Sequence, residues 1–264
     1  MKIKIIITCF LISLYSSLVY AAEFKGKFIQ GHYIIGKTKP NTKIIIDKRK
    51  IKVSKDGYFA FGIGKDRKFD IIITEGDQKI VKKIQSRKYN IQKIEGLPKK
   101  KVTPPEEFYA RIKKENKLIA DAREINSDLS FFKEKFIMPV DDAIITGVYG
   151  SQRILNGIPK WPHYGLDFAQ KKGAPIKAMN NGIVTLAEKD LFYTGATLIF
   201  DHGHGISTLY MHMDKIFVNK GDHIKKGDII GTVGSSGRST GPHLDIRLNW
   251  FGARLDPATI LDIQ

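Results

Sequence analysis

The run Ser236-Gly-Arg-Ser-Thr-Gly-Pro-His243-Leu-Asp245-Ile-Arg-Leu-Asn249 alternates strictly from His243 onward. His243, Asp245, Arg247 and Asn249 fall on one face, and Leu244, Ile246 and Leu248 on the other, which is the period of a half-buried β-strand. Gly241-Pro242 fixes where that strand begins, because proline presets φ and donates nothing to a ladder. His243 and Asp245 therefore share a polar face about 7 Å apart, and both can bind a metal. Taken alone, the plainer reading is a surface aspartate paired with Arg247.

Two upstream segments change that reading. Trp161-Pro162-His163-Tyr164-Gly165-Leu166-Asp167 carries His and Asp four residues apart, and Pro162 and Gly165 argue against a helix. On a flat strand the two would lie about 13 Å apart, too far to share an ion with bonds of about 2 Å. The chain is therefore expected to curl at Gly165 before Leu166-Asp-Phe-Ala enters a strand. Ile206-Ser-Thr-Leu-Tyr-Met-His212-Met reads as another alternating strand, with Thr208, Tyr210 and His212 on its polar face and Leu209, Met211 and Met213 inward.

His163-x-x-x-Asp167, Leu209-Tyr-Met-His212 and Gly241-Pro-His243-Leu-Asp245, in this order, resemble the lysostaphin-type zinc endopeptidases that cut peptidoglycan cross-links. The resemblance runs from about Phe136 to Leu261. It takes in Tyr149-Gly-Ser-Gln-Arg153, Gly182-Ile-Val-Thr, Asp201-His-Gly-His-Gly205 and Gly221-Asp-His-Ile-Lys-Lys-Gly-Asp-Ile-Ile-Gly-Thr-Val-Gly234. It implies a duplicated-hairpin β-sandwich with one zinc ion on His163, Asp167 and the residue at 245. His212 and His243 are implied as the catalytic histidines, and the substrate as the peptide stems of peptidoglycan. The family places a second histidine where this chain has Asp245. An additional carboxylate would weaken the ion as a Lewis acid and favour harder ions, so Mn2+ or Fe2+ could compete with zinc. The same departure leaves open a family member without catalysis that acts as a scaffold activating a wall amidase.

Taken in order, the 264 residues suggest two domains. Lys2 and Lys4, the apolar run Ile5 to Leu18, and Val19-Tyr20-Ala21 read as a signal peptide over 1–21. Export is expected, to a periplasm given the resemblance, with no transmembrane anchor after cleavage. Cys9 is the only cysteine, so the mature chain would hold no disulfide. The net charge is +17. Residues 22–101 hold 22 Lys and Arg against 8 Asp and Glu, whereas 102–264 are nearly neutral. A basic exported module could hold an anionic envelope surface. Nucleic acid is not an expected partner, since no recognition motif is present.

Residues 22–98 read as about seven short strands separated by turns such as Lys39-Pro-Asn-Thr42, Asp56-Gly57 and Glu75-Gly-Asp77, a small immunoglobulin-like β-sandwich. Residues 99–131 read as a linker and a connecting helix. Thr103-Pro-Pro-Glu106 signals its start, and Phe108, Ile112, Ile119 and Ala122 form its apolar stripe. The helix either docks as a connector or lies with the first module across the groove. Residues 132–264 form the β-rich remainder, so the whole chain is expected to be mainly β.

The remainder contains a quasi-repeat, Gly173-Ala-Pro-Ile-Lys-Ala-Met-Asn-Asn-Gly-Ile-Val184 and Gly221-Asp-His-Ile-Lys-Lys-Gly-Asp-Ile-Ile-Gly-Thr-Val233, sharing the spacing of Gly, Ile-Lys and the closing Gly. Biotinyl- and lipoyl-carrier domains use similar hairpins, but their acceptor lysine would fall at Asn180-Asn181 here. His202 and His204 are expected in a turn rather than on a metal, and His223 and His32 on the solvated surface. No organic cofactor site is visible.

Overall fold

The computed structural model describes residues 22–95 and 103–261; the expected signal peptide and the linker start at Lys99 lie outside the described residues. The chain is mainly β. Among the described residues no helix is long and apolar enough to cross a membrane.

The first part is two small antiparallel sheets face to face. Glu23–Lys25, Tyr33–Lys37 and Tyr58–Gly62 form one, and Ile44–Ile46, Arg49–Ile51, Ile71–Glu75 and Gln78–Lys82 the other. Their inward residues alternate as the sequence does: Ile34, Phe59 and Phe61 from one sheet meet Ile44, Ile46, Ile71 and Ile73 from the other in one core. The strand Ile91–Ile94 does not join them. It pairs in parallel with Gln152–Leu155, within the second part. His32, expected on the solvated surface, is instead buried, because the first part docks onto the second beside it; Arg87 bonds Asp256 at 2.6 Å across that seam. Tyr33 hydroxyl donates to Phe132 carbonyl, and the Phe61 and Trp250 rings meet edge to face.

The second part is built on one large antiparallel sheet. Its strands run, in spatial order, His223–Ile224, Gly182–Leu191, Gly195–Gly203, Ile206–Ile216, His243–Trp250, Leu166–Ala169 and Ile144–Gly147. The quasi-repeats pair with each other: Ile176 lies opposite Gly231, and Gly182 opposite Ile224. Asn180 is fully buried and its amide donates to Phe131 carbonyl, so no carrier tip exists there.

The helix spans Tyr109–Arg123, preceded by a 3-10 turn at Glu106–Phe108. Ala122 and Ile119 pack on Leu186, Leu191, Ile199, Leu209 and Met211. That contact explains why the Ile206–Ile216 strand is buried on both faces and does not alternate as expected. Tyr210 enters the main core on one side while Leu209 and Met211 face the helix on the other.

His202 and His204 lie at the sheet's far turn. His202 Nδ1 donates to Asn181 carbonyl, and Nε2 accepts from the Thr208 hydroxyl. His204 packs on the Phe132 ring. Burial pushes both imidazoles down to about 4, with the Lys52 charge adding to the effect at His204. The unfolded chain takes these protons near pH 6.5 and the folded one only near 4, so the unfolded state binds more protons between those values. Stability is therefore expected to fall as pH drops from about 6.5 to 4, by on the order of 3 kcal/mol per histidine. His204 sits at φ +54, which asparagine tolerates. Urea titrations at pH 7 and pH 4.5 should give a smaller loss for His204→Asn than for wild type; equal losses would contradict this.

Candidate metal centre

Strand register brings the site together. Gly147, Asp167, Asp245 and Met211 are successive cross-strand partners on four neighbouring strands. Asp167 and Asp245 thus stand directly opposite each other on one face, both buried. Like charges so placed repel, and their burial raises the cost, so something must neutralise them. The other face of the same strand behaves as its letters indicate: Leu244, Ile246 and Leu248 are fully buried in the main core.

His163 joins them from the loop ahead of the strand. Its backbone N–H donates to Ser151 carbonyl, and its carbonyl accepts from Gly150 N–H. One donor atom each from His163, Asp167 and Asp245 lie within 4.8 Å of one another. His163 Nε2 is 3.1 Å from Asp167 Oδ1, yet neither atom has an aligned hydrogen-bond partner, and His163 Nδ1 has none either. Buried polar atoms rarely go unpartnered, and one His163 nitrogen together with Asp167 Oδ1 beside Asp245 fits a cation. One imidazole and two carboxylates suit a divalent ion such as zinc, with room for a further ligand.

Two glycines make space for the carboxylates. A Cβ on Gly147 would lie 2.7 Å from Asp167 Cγ and overlap Oδ2. A Cβ on Gly165 would overlap Asp245 Oδ1 and come 2.5 Å from Ile246 carbonyl. Gly165 does not adopt a left-handed φ, so its role is the missing side chain rather than the backbone freedom that its position in the motif suggests.

Arginines hold both carboxylates from outside. Arg153 Nη2 reaches Asp167 Oδ2 at 3.3 Å, and Arg247 Nη2 reaches Asp245 Oδ2 at 3.0 Å. Burial alone would raise the Asp245 carboxyl, but Arg247, followed by His163, outweighs it and keeps the group well below the usual carboxylate range. The sequence left Asp245 either a salt-bridge partner or a metal ligand; the geometry allows both. These two guanidinium charges also offset the extra carboxylate that Asp245 brings.

His212 and His243 stand beside this group with ring centroids 4.9 Å apart. His212 is at φ +62, where the pairing with Gly195–Gly203 slips register between Leu198 and Ala196. This bulge turns its ring from the core side, where plain alternation with Tyr210 would send it, into the groove. His212 Nδ1 contacts Ser236 carbonyl at 2.8 Å, and His243 Nδ1 contacts Gly241 carbonyl at 2.9 Å. A carbonyl can only accept, so each Nδ1 carries a hydrogen, and in the neutral ring Nε2 is the acceptor. Burial, opposed by Asp245, lowers the His212 pKa and keeps it neutral at pH 7. His243 Nε2 lies 3.8 Å from Asp167 Oδ1. All five residues singled out from the sequence therefore converge, whereas His202 and His204 lie elsewhere and His223 is exposed.

His163, His212 and Asp245 of this group line a groove of about 1200 Å³. Ile112, Ile119 and Arg123 of the helix form part of its wall, and Lys65 to Arg67 of the first part reach it. Burial, then Arg247 and Arg123, push Arg254 on this wall down to about 10. Sequence reasoning did not single out Arg123 or Arg254 as groove residues; they come from separate segments without any motif.

Comparison with known proteins agrees with this geometry. The pattern of Peptidase family M23 matches residues 161–257. The chain is 43% identical over 83 residues to peptidoglycan DD-endopeptidase ShyB of Vibrio cholerae, a stretch covering 31% of this chain and 19% of that protein. The matched stretch thus spans about a fifth of the curated relative's length. A solved structure from Pseudomonas aeruginosa, described as a peptidase M23, is 25% identical and superposes with a TM-score of 0.68 over 89% of this chain and 95% of its own. The catalytic domain of lysostaphin from Staphylococcus simulans is 31% identical over 46% of this chain and 94% of that one, with a TM-score of 0.42. Residues 161–257, with the histidines and aspartates they carry, form a domain of peptidase family M23.

Proposed function

We propose that this chain is an exported, zinc-dependent endopeptidase that hydrolyses peptide cross-links of peptidoglycan. The observation that carries the reading is the meeting of His163, Asp167 and Asp245 with two histidines whose rings lie 4.9 Å apart and whose Nδ1 atoms are held by backbone carbonyls. The curated relative named above acts, by its name, on the same polymer. The proposed units are residues 22–98, 99–131 and 132–264, with the basic first unit holding an anionic envelope surface.

His163, Asp167 and Asp245 would hold the ion, which when bound supplies Lewis acidity and lowers the pKa of water toward about 7. Arg153 and Arg247 orient the two carboxylates from their outer sides. His212 and His243 each present an acceptor Nε2. One takes the proton of the attacking water and passes it to the leaving amine as the C–N bond breaks, while the other, protonated from solvent, donates to the oxyanion of the tetrahedral carbon. The Ser236 and Gly241 carbonyls hold both rings in the tautomer this requires.

Digestion of purified sacculi by the full chain tests the reading. New uncrosslinked muropeptides, abolished by chelator and restored by zinc, are expected. If products form only when a wall amidase is added, the scaffold reading replaces this one. Asp245→His restores the family's ligand set and should keep metal and activity; a metal-free wild type beside a metal-bound Asp245→His would contradict Asp245 as a ligand.

A further inference from the structure

Six arginines line the groove: Arg67 from the first part, which pairs with Asp47, Arg123 from the helix, Arg153, Arg238, Arg247 and Arg254. Arg153 and Arg247 are matched by the two aspartates. Among the described residues, Arg123, Arg238 and Arg254 form no ion pair. Arg123 Nε is buried without any hydrogen-bond partner, although its guanidinium sits at the end of a helix where exposed carbonyls could have met it. The Arg254 and Arg238 heads are each held over an aromatic face, 4.4 Å from the Tyr164 and Tyr193 rings. The Arg247 charge acts on all three, and that of Arg123 acts on Arg254, so the groove holds these cations against repulsion. A divalent ion on the two aspartates would make the groove more positive still. Cations gathered at this cost in a partly enclosed groove are the arrangement that receives an anion.

We propose that Arg123, Arg238 and Arg254 form a carboxylate-binding subsite beside the metal centre, which selects acidic peptides over neutral ones. The planar guanidinium suits a carboxylate, which it can grip through two parallel N–H donors. The inference rests on the peptidase reading only for the ligand being a peptide; the recognition itself requires no turnover.

The test is calorimetric binding of a short peptide with free carboxylates, and of the same peptide fully amidated, to the full chain. Three proteins are compared: wild type, the double variant Arg123→Gln/Arg254→Gln, and His163→Ala, which removes a metal donor. Wild type should bind the acidic peptide about 10-fold or more tightly than its amide, as expected of charge-assisted hydrogen bonds. The double variant should lose this preference and His163→Ala keep it. Equal affinity of wild type for both peptides would overturn the subsite. So would a preference that survives in the double variant but vanishes in His163→Ala, since the carboxylate would then sit on the ion. Should the double variant not fold, Arg238→Gln at the exposed rim gives the same reading. A chain that binds acidic peptides but cuts none would uphold the subsite and reject the peptidase; one that cuts acidic and amidated peptides equally would do the reverse.

Discussion

Replacing Gly147 with alanine is expected to strip the metal centre while leaving the fold in place. The new methyl would occupy the volume of the Asp167 carboxylate, and the three nearest atoms it meets all belong to that one side chain. Asp167 must then rotate away, which breaks its approach to His163 and its bond to Arg153 together. Outer contacts to a metal ligand are typically worth 10–100-fold in affinity, so displacing the ligand itself should weaken metal binding by at least about 100-fold. Activity should fall with occupancy and recover in part at high zinc. Gly165→Ala acts on Asp245 in the same way but also presses on the Ile246 carbonyl, so it should lower stability as well. Metal titration together with thermal melting separates the two effects. A Gly147→Ala protein with unchanged metal affinity would remove Asp167 from the ligand set.

The second large effect falls on the histidine pair. His212→Ala and His243→Ala should each lower hydrolysis by about 10²–10⁴-fold, the usual worth of a positioned acid or base. Neither belongs to the proposed ligand set, so metal content should stay at the wild-type level in both. That split between activity and occupancy distinguishes them from His163, whose removal should lower both. His212 carries an added condition: its ring reaches the groove only because the backbone at φ +62 turns it there. His212→Asn, which tolerates that φ, should fold normally yet remain as inactive as His212→Ala. Loss of metal from either alanine variant would place these rings among the ligands instead.

The strand carrying His243 and Asp245 was legible from its letters because one face is core and the other lines a groove, and period-two alternation records that difference. In the first part, Tyr33–Lys37, Ile44–Ile46, Tyr58–Gly62, Ile71–Glu75 and Gln78–Lys82 were legible from apolar or alternating runs, whereas Glu23–Lys25 was not expected. The Ile206–Ile216 strand was not: the helix covers one face and the main core the other, so both faces are apolar and alternation carries no direction. The bulge at His212 depends on pairing with a neighbouring strand, which no local pattern encodes. Gly165 was singled out in its motif, but its reason lies in a side chain 80 residues further along the chain. Burial of His32 follows from docking of the two parts, and the arginine cluster from segments far apart in sequence.

Diffraction from crystals of the full chain at the zinc absorption edge, without added chelator, tests the metal centre most directly. One anomalous peak is expected, at about 2 Å from a His163 nitrogen and from oxygens of Asp167 and Asp245, with Arg153 and Arg247 still bonded to the outer carboxylate oxygens. A groove with no peak, or a peak that leaves Asp245 bound to Arg247 alone, would contradict it.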